Sequence, residues 1–402
     1  MSKPRIFIQL HYLEIGGAEA ALIGLLQALD PQRVDVDLFL YDRRGELVQF
    51  VPDWVNVLPQ ITQYSLLERP IKELARRGYW RLALRRLRGK RLAAKAYAHS
   101  GSDLENYTVF LYPMREAAKS LPPINPDTEY DLAISFLTPH YFLLDKVRAK
   151  KKVGWIHTDY TRIWTVRAEE WKMWSRLDAI VSISSDVTKC FCEVFPQAAD
   201  KIVEIENILS PAFIRRRAQV ADKAAIAAEF DARGSIVLLT IGRFCHPKKM
   251  EEIPDILKRM RASGCDARWY IIGFGNETPI RDSIARTGMG EYVRILGKKE
   301  NPYPYIEACD VYVQPSRYEG KSIVVREAQI LGKPVIVTDY PTAKSQVRSG
   351  LDGFIVPMPI DDCADAIGGL LADARTLTDV AQFNSTHDFG NEAEVEKIYS
   401  LI

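Results

Sequence analysis

The chain has 402 residues, 47% of them hydrophobic, and a formal net charge of +2. That length predicts two domains rather than one core, the apolar content excludes a disordered chain, and the near-neutral charge argues against a global attraction to nucleic acid. In chain order, "RIFIQLHYL" reads as a buried strand, "EIGGAEAALIGLLQALD" as a Gly-Gly turn opening an amphipathic helix, and "VDVDLFLY" as a second strand. Strand, glycine turn, helix and strand open a parallel α/β sheet. The runs "YDLAISFL", "KKVGWIH" and "DAIVSIS" extend it, which predicts a Rossmann-like domain over 1–207. A second series, "SIVLLTIGR", "ARWYIIGFG", "YVRILG", "ACDVYVQPS" and "KPVIVTD", repeats the architecture over 208–384 with helices such as "MEEIPDILKRMRAS" between strands. The closing segment 385–402, with "NEAEVEKIYSLI", is expected to form a helix that packs back on the first domain.

One region fits the alternation poorly. Between Arg69 and Lys95 there are eleven Lys or Arg and a single acid, Glu73. With Leu74, Leu82, Leu87, Leu92 and Trp80 interleaved, the insertion over about 69–98 could lie on an anionic membrane; a solvated helical insertion is the alternative. The six cysteines include no C-x-x-C pair, which points to a reducing cytosolic compartment. "MSKPR" followed by the short run "IFIQL" does not read as a signal peptide, and no run reaches the length of a membrane span. The expected localisation is cytoplasmic, at most peripheral on the inner face of the cell membrane.

The chemistry is expected at strand ends. Ligands of open α/β sheets collect at the carboxyl edge, where "RYEGKS" follows the strand of "CDVYVQPS" and leads into the helix "IVVREAQILG". The amides of Gly320, Lys321, Ser322 and Ile323 would face a diphosphate there, with Glu319 at the mouth and Glu327 about one turn into the helix. Two carboxylates beside an anion site suit hydroxyl groups of a sugar or ribose; a solvent-facing Glu and a salt bridge between helices are the alternative. Asp35 and Asp37 form a D-x-D, but alternation puts both on the solvent side of a strand, so no metal site is expected. No G-x4-G-K-[ST] phosphate loop occurs.

Glu319, seven residues and Glu327, set among "GKKENPYPYIEACDVYVQPSRYEG" and "AQILGKPVIVTDYPTAKSQVRSGLDGFIV", resemble the C-terminal domain of the GT-B glycosyltransferases, specifically the retaining family 4. The resemblance implies two Rossmann-like domains facing across a cleft, with the nucleotide-sugar donor held mainly by the second. In "TIGRFCHPKK", Gly242 and Arg243 match the family's Gly-Arg, and Arg243 and Lys248, five positions on, match the cations that hold the donor diphosphate; Lys249 could take the role of Lys248. "IIGFGNE", with Gly273 and Gly275, resembles the family's glycine turn, and Gly297 and Lys298 fall where relatives hold the base. Gly16 and Gly17 match the family's first glycine loop, and His157 in "VGWIHTDY" its sugar-contacting histidine; a hydrogen-bonded core imidazole is the alternative. Asp159 follows His157 in the same segment, and His11 and His140 read as structural.

The implied reaction moves a hexosyl or N-acetylhexosaminyl unit from a nucleotide diphosphate sugar, most simply a UDP-sugar, to a glycan or lipid-linked hydroxyl in surface polysaccharide biosynthesis. It needs no metal or cofactor, and nucleic acid is not an expected partner. Two rival readings are a nucleotide-sugar epimerase on the same fold and a non-catalytic sugar-nucleotide-binding partner of another transferase. Lys321 and Arg326 depart from the small and apolar residues many relatives carry there.

Overall fold

The computed structural model describes residues 3–220 and 222–402. The chain divides into two compact units, one formed by Met1–Leu209 with Asn391–Ile402 and the other by Ser210–Gly390. In the first, a seven-stranded parallel sheet runs in the order Asn56–Val57, Asp35–Leu40, Arg5–Leu10, Tyr130–Ser135, Ala149–Ile156, Ala179–Ser182, Ile202–Glu204. The order reverses between Arg5–Leu10 and Tyr130–Ser135, which marks the edge where a doubly wound sheet opens a crevice. Ile6, Phe7 and Ile8 are fully buried, as expected of a strand covered on both faces.

Asp37 departs from its expected place in solvent. It is buried, takes hydrogen bonds from Tyr130 Oη at 2.6 Å and Asn56 Nδ2 at 2.6 Å, and pairs with Arg5 at 3.2 Å. Alternation does not identify a solvent face in a sheet covered on both sides. Asp35 is exposed and pairs with Lys3.

The basic insertion forms the helices Ile71–Arg76 and Trp80–Ala98, and the helix Thr108–Ala118 packs against the second. Leu82, Ala83, Arg86, Gly89 and Ala93 make the buried face of Trp80–Ala98. Gly89 is needed there, because a Cβ would lie 2.5 Å from Pro113 Cα. The buried Glu116 carboxylate anchors the pair through Arg85 at 3.2 Å and Arg88 at 3.7 Å. The leucines expected on a free apolar face differ in role: Leu74 and Leu82 are buried within the unit.

The second unit holds a six-stranded parallel sheet in the order Val293–Gly297, Ala267–Gly275, Ile236–Phe244, Val311–Gln314, Val335–Thr338, Phe354–Val356. Its order reverses between Ile236–Phe244 and Val311–Gln314. Leu238, Trp269, Ile271, Val311 and Ile336 are central to its core. The one hydroxyl on the central strand is satisfied, since Thr240 donates to Val313 O at 2.6 Å and accepts from Trp269 Nε1 at 2.9 Å.

The tail differs in detail from the expected 385–402 helix. The helix Ala374–Thr386 stays with the second unit, where Asn384 Nδ2 donates to Lys333 O and Asp352 O. The returning segment begins at Asn391 rather than at 385, and its α-helix spans only Val395–Ser400. It is held on the first unit by Tyr399 Oη, which accepts from the Asp30 amide at 2.7 Å, and by Arg33 stacked 3.6 Å from the Tyr399 ring centroid. The first unit's main segment likewise ends at Leu209 rather than Asn207.

Candidate functional site

The reversal point of the second sheet gathers the charged loops. The strand Ile236–Phe244 delivers Arg243 near its end and continues into the turn that carries Lys248; the strand Val311–Gln314 leads into Glu319. Lys248 Nζ and Glu319 Oε1 meet at 2.6 Å. Glu319 Oε1 also accepts from Ser316 Oγ at 2.5 Å and from Gln314 Nε2 at 3.3 Å. Arg243 is exposed, and its guanidinium makes no ion pair among the described residues. The charges of Arg243, Lys248 and Glu319 all act on the Cys245 thiol, whose pKa burial raises while the two cations oppose that rise. The three groups therefore share one electrostatic neighbourhood.

Geometry separates Lys248 from Lys249. Lys249 sits at φ +56°, a conformation that favours glycine. Its side chain is buried, with Nζ donating to Met358 O and pairing with Glu252 at 2.8 Å. Only Lys248 points to Glu319. Gly242 lies under it: a Cβ there would come 3.4 Å from Lys248 Cε. Gly273, paired in register with Gly242, allows the two strands to close, since its Cβ would lie 1.9 Å from Gly242 O.

A residue not anticipated from the sequence ties these loops together. The Arg317 amide donates to Pro247 O at 2.8 Å, and its guanidinium donates to His246 O at 2.8 Å and pairs with Glu251 at 2.7 Å and Glu252 at 2.6 Å. Two residues before Glu319, it clamps the turn bearing Lys248. Tyr340 is a second residue the sequence did not flag: its buried hydroxyl has no hydrogen-bond partner, and burial with the Glu319 charge raises its pKa. Neither belongs to a spacing motif, so only contacts reveal them.

The helix Ile323–Ile330 opens beyond Gly320 and Lys321 with Ser322 as its N-cap residue. The Ser322 amide differs from the expected free donor. It donates to Gln346 Oε1 at 2.9 Å, while Gln346 Nε2 returns a bond to Ser322 O. A glutamine side chain thus occupies the position where an anion was expected. Glu327 lies on this helix, buried, and accepts from Tyr303 Oη at 2.8 Å. Burial pushes its pKa up to about 7, opposed by the Tyr303 bond and the Arg217 charge. Gly297 adopts φ +71°, and the ammonium of Lys298 lies 5.4 Å from the Phe274 ring centroid.

In the first unit, Gly16 is the N-cap of the helix Gly17–Ala28, in extended backbone with φ −165°, and a Cβ there would strike Glu19 Oε2 at 2.2 Å. His157 follows the strand Ala149–Ile156. Its ring rests 5.0 Å from Phe136, its Nε2 has no partner, and burial lowers its pKa to about 4, so the imidazole is neutral. Asp159 is occupied locally, accepting from the Thr161 amide at 2.9 Å and capping the turn Tyr160–Arg162. His140 is fully buried with Nδ1 2.8 Å from Ser135 Oγ.

Two Rossmann-like units in this connectivity define the GT-B class. The Anabaena HepE crystal structure with UDP and glucose has the same fold at a TM-score of 0.68 and 16% identity, covering 99% of this chain and 98% of that one. The family model "Glycosyl transferases group 1" matches residues 235–373. Residues 235–373 thus resemble the group 1 glycosyl transferases, and the chain as a whole has the GT-B fold. Among curated relatives, D-inositol 3-phosphate glycosyltransferase of Nocardia farcinica is 27% identical over 299 residues, 66% of this chain and 62% of that one. The lipopolysaccharide core glycosyltransferase LpsE of Rhizobium meliloti is 26% identical over 168 residues, 41% of this chain and 47% of that one. The chain thus spans less than two thirds of these relatives.

Proposed function

We propose that the protein is a retaining, metal-independent glycosyltransferase that moves a hexosyl or N-acetylhexosaminyl unit from a UDP-sugar to a hydroxyl of a glycan or lipid-linked acceptor in surface polysaccharide assembly. The observation that carries this reading is the Lys248–Glu319 contact at the sheet's reversal point, beside Arg243. A cation that binds phosphate and a carboxylate that accepts from sugar hydroxyls are adjacent where a sugar diphosphate changes from one to the other. The UDP and glucose in HepE, and the lipopolysaccharide role of LpsE, support the donor and the setting.

The anomeric carbon–oxygen bond to the donor's β-phosphate breaks, and a bond from that carbon to the acceptor oxygen forms on the same face. The acceptor proton passes to the departing phosphate oxygen. Arg243 and Lys248 stabilise the charge that grows on the diphosphate, which lowers the barrier rather than merely tightening binding. The first-turn amides at Ile323 act in the same sense. Glu319 holds sugar hydroxyls and Glu327 ribose hydroxyls.

Substituting Arg243→Ala tests the assignment. Removal of one such donor costs about 100-fold or more in turnover, so sugar transfer from a UDP-sugar should fall by at least that factor with an unchanged circular dichroism spectrum. Normal transfer would remove Arg243 from the diphosphate site. A thermal-shift series with UDP, GDP, ADP and their sugars, with and without Mg²⁺, should give a metal-independent rise with the uridine class.

A further inference from the structure

The exposed apolar side chains of this protein are not scattered. Trp80, Leu84, Leu104, Val109 and Phe110 are exposed large hydrophobic residues, and outside the stretch 80–110 only Val220 and Leu351 join them among the described residues. Trp80 is 62% and Leu84 65% exposed. They stand four residues apart on the helix Trp80–Ala98, opposite its buried face of Leu82, Arg86, Gly89 and Ala93. Continuing the same stripe at helical spacing are Arg88, Arg91 and Lys95, all exposed. Arg81 and Lys90 flank it.

The charge on this face is largely uncompensated. Arg88 shares Glu116 with Arg85, whereas Arg81, Lys90, Arg91 and Lys95 form no ion pair among the described residues. The eleven cations between Arg69 and Lys95 stand against one acid in a chain of net charge +2, so the rest of the chain is net acidic. A helix about 28 Å long thus presents a tryptophan, a leucine and a row of cations along one side. Phe110 and Val109 are exposed at the start of the neighbouring helix. The helix is too polar to cross a bilayer: no described helix is long and apolar enough for that.

We infer that the face of Trp80–Ala98 bearing Trp80, Leu84, Arg81, Arg88, Arg91 and Lys95 docks on an anionic lipid bilayer, with Trp80 and Leu84 entering the headgroup boundary and the cations meeting lipid phosphates. A solvated helix has no use for a Trp and a Leu both turned mostly to solvent, and a nucleic-acid-binding helix would not need both apolar groups beside its cations. Interfacial binding uses the two together, because the apolar side chains partition while the cations concentrate the protein at a negative surface. The docking deepens the lipid-linked acceptor reading, but it is measured without any sugar.

The full-length protein should co-sediment with phosphatidylglycerol vesicles and not with phosphatidylcholine vesicles. Each cation near an anionic surface contributes about fivefold in partition, so the triple variant Arg81→Gln, Arg91→Gln, Lys95→Gln should bind on the order of 100-fold more weakly. The double variant Trp80→Ser, Leu84→Ser should lose about tenfold through its lost apolar contact. Both variants alter exposed side chains and should keep the wild-type melting temperature and its shift with UDP. Failure of the wild type to bind phosphatidylglycerol vesicles, or unchanged binding by either variant, would overturn the docking. Binding that duplex DNA displaces and the double variant retains would reassign the face to nucleic acid. Loss of the UDP shift in wild type would sink the donor reading and leave the vesicle result standing.

Discussion

Glu327 is where a single residue sets opposite demands on stability and on binding. Its folded pKa of about 7 lies above the unfolded carboxylate value because burial disfavours the ionised form. A raised acid holds its proton more tightly when folded, so its stabilising contribution is full at low pH and is lost as pH rises towards 7. The loss amounts to about 3 kcal/mol at about 1.4 kcal/mol per unit. Glu327→Gln should therefore melt higher than wild type at pH near 8 and similarly at pH near 5, by differential scanning calorimetry. If the ionised carboxylate holds ribose hydroxyls, wild-type donor affinity rises as pH increases through about 7, and the Gln variant loses that limb. Calorimetric titration with UDP across this range checks it; a flat wild-type profile would detach Glu327 from the donor. Glu319, Glu327, Arg243 and Lys248 were singled out by family resemblance rather than by spacing alone, and the structure brings Lys248 and Glu319 into contact. Tyr303, Gln346 and Arg317 were not singled out, since each reaches its partner across a sequence separation that no local pattern encodes.

Among elements, the turn after Ile236–Phe244 depends on its clamps. Lys249 and Arg317 both reach Glu252, and Arg317 also holds two carbonyls of the turn. Such groups act on catalysis by fixing where Lys248 sits, and a displacement of about 1 Å in a reacting geometry can cost about 100-fold. Arg317→Ala should raise the donor KM and lower kcat, by about 10- to 100-fold in kcat/KM. Arg317→Lys should recover only part, because an ammonium cannot reproduce the guanidinium's planar fork. Steady-state kinetics with the folded variants decide it; wild-type values for Arg317→Ala would make the clamp purely structural. The position of the helix Ile323–Ile330 was legible from its apolar pattern. Its Ser322 amide was not, because Gln346, far along the chain, occupies it.

At the scale of the molecule, the tail shows how a distant segment completes a unit. Val395 and Ile398 are buried, Lys397 Nζ donates to Glu204 O at 3.0 Å, and Glu394 accepts from the Glu206 amide at 3.0 Å. Deleting residues 391–402 should speed amide exchange at Asp30 and Glu206, whose amides lose their acceptors, while leaving the core strands of Ser210–Gly390 protected. Hydrogen exchange followed by mass spectrometry reads this; unchanged protection at both amides would mean the tail is dispensable. By itself the sequence determined the two α/β units, their main strands but not the short strands Asn56–Val57, Ile202–Glu204 and Phe354–Val356, and the charged motifs at strand ends, because apolar runs, turn glycines and short spacings are local properties. Tertiary structure alone decided which lysine meets Glu319, which amide is already taken, that Asp37 is buried, and which face of the basic helix stays free. Those outcomes depend on contacts between residues far apart in the chain, where burial and pairing override local pattern.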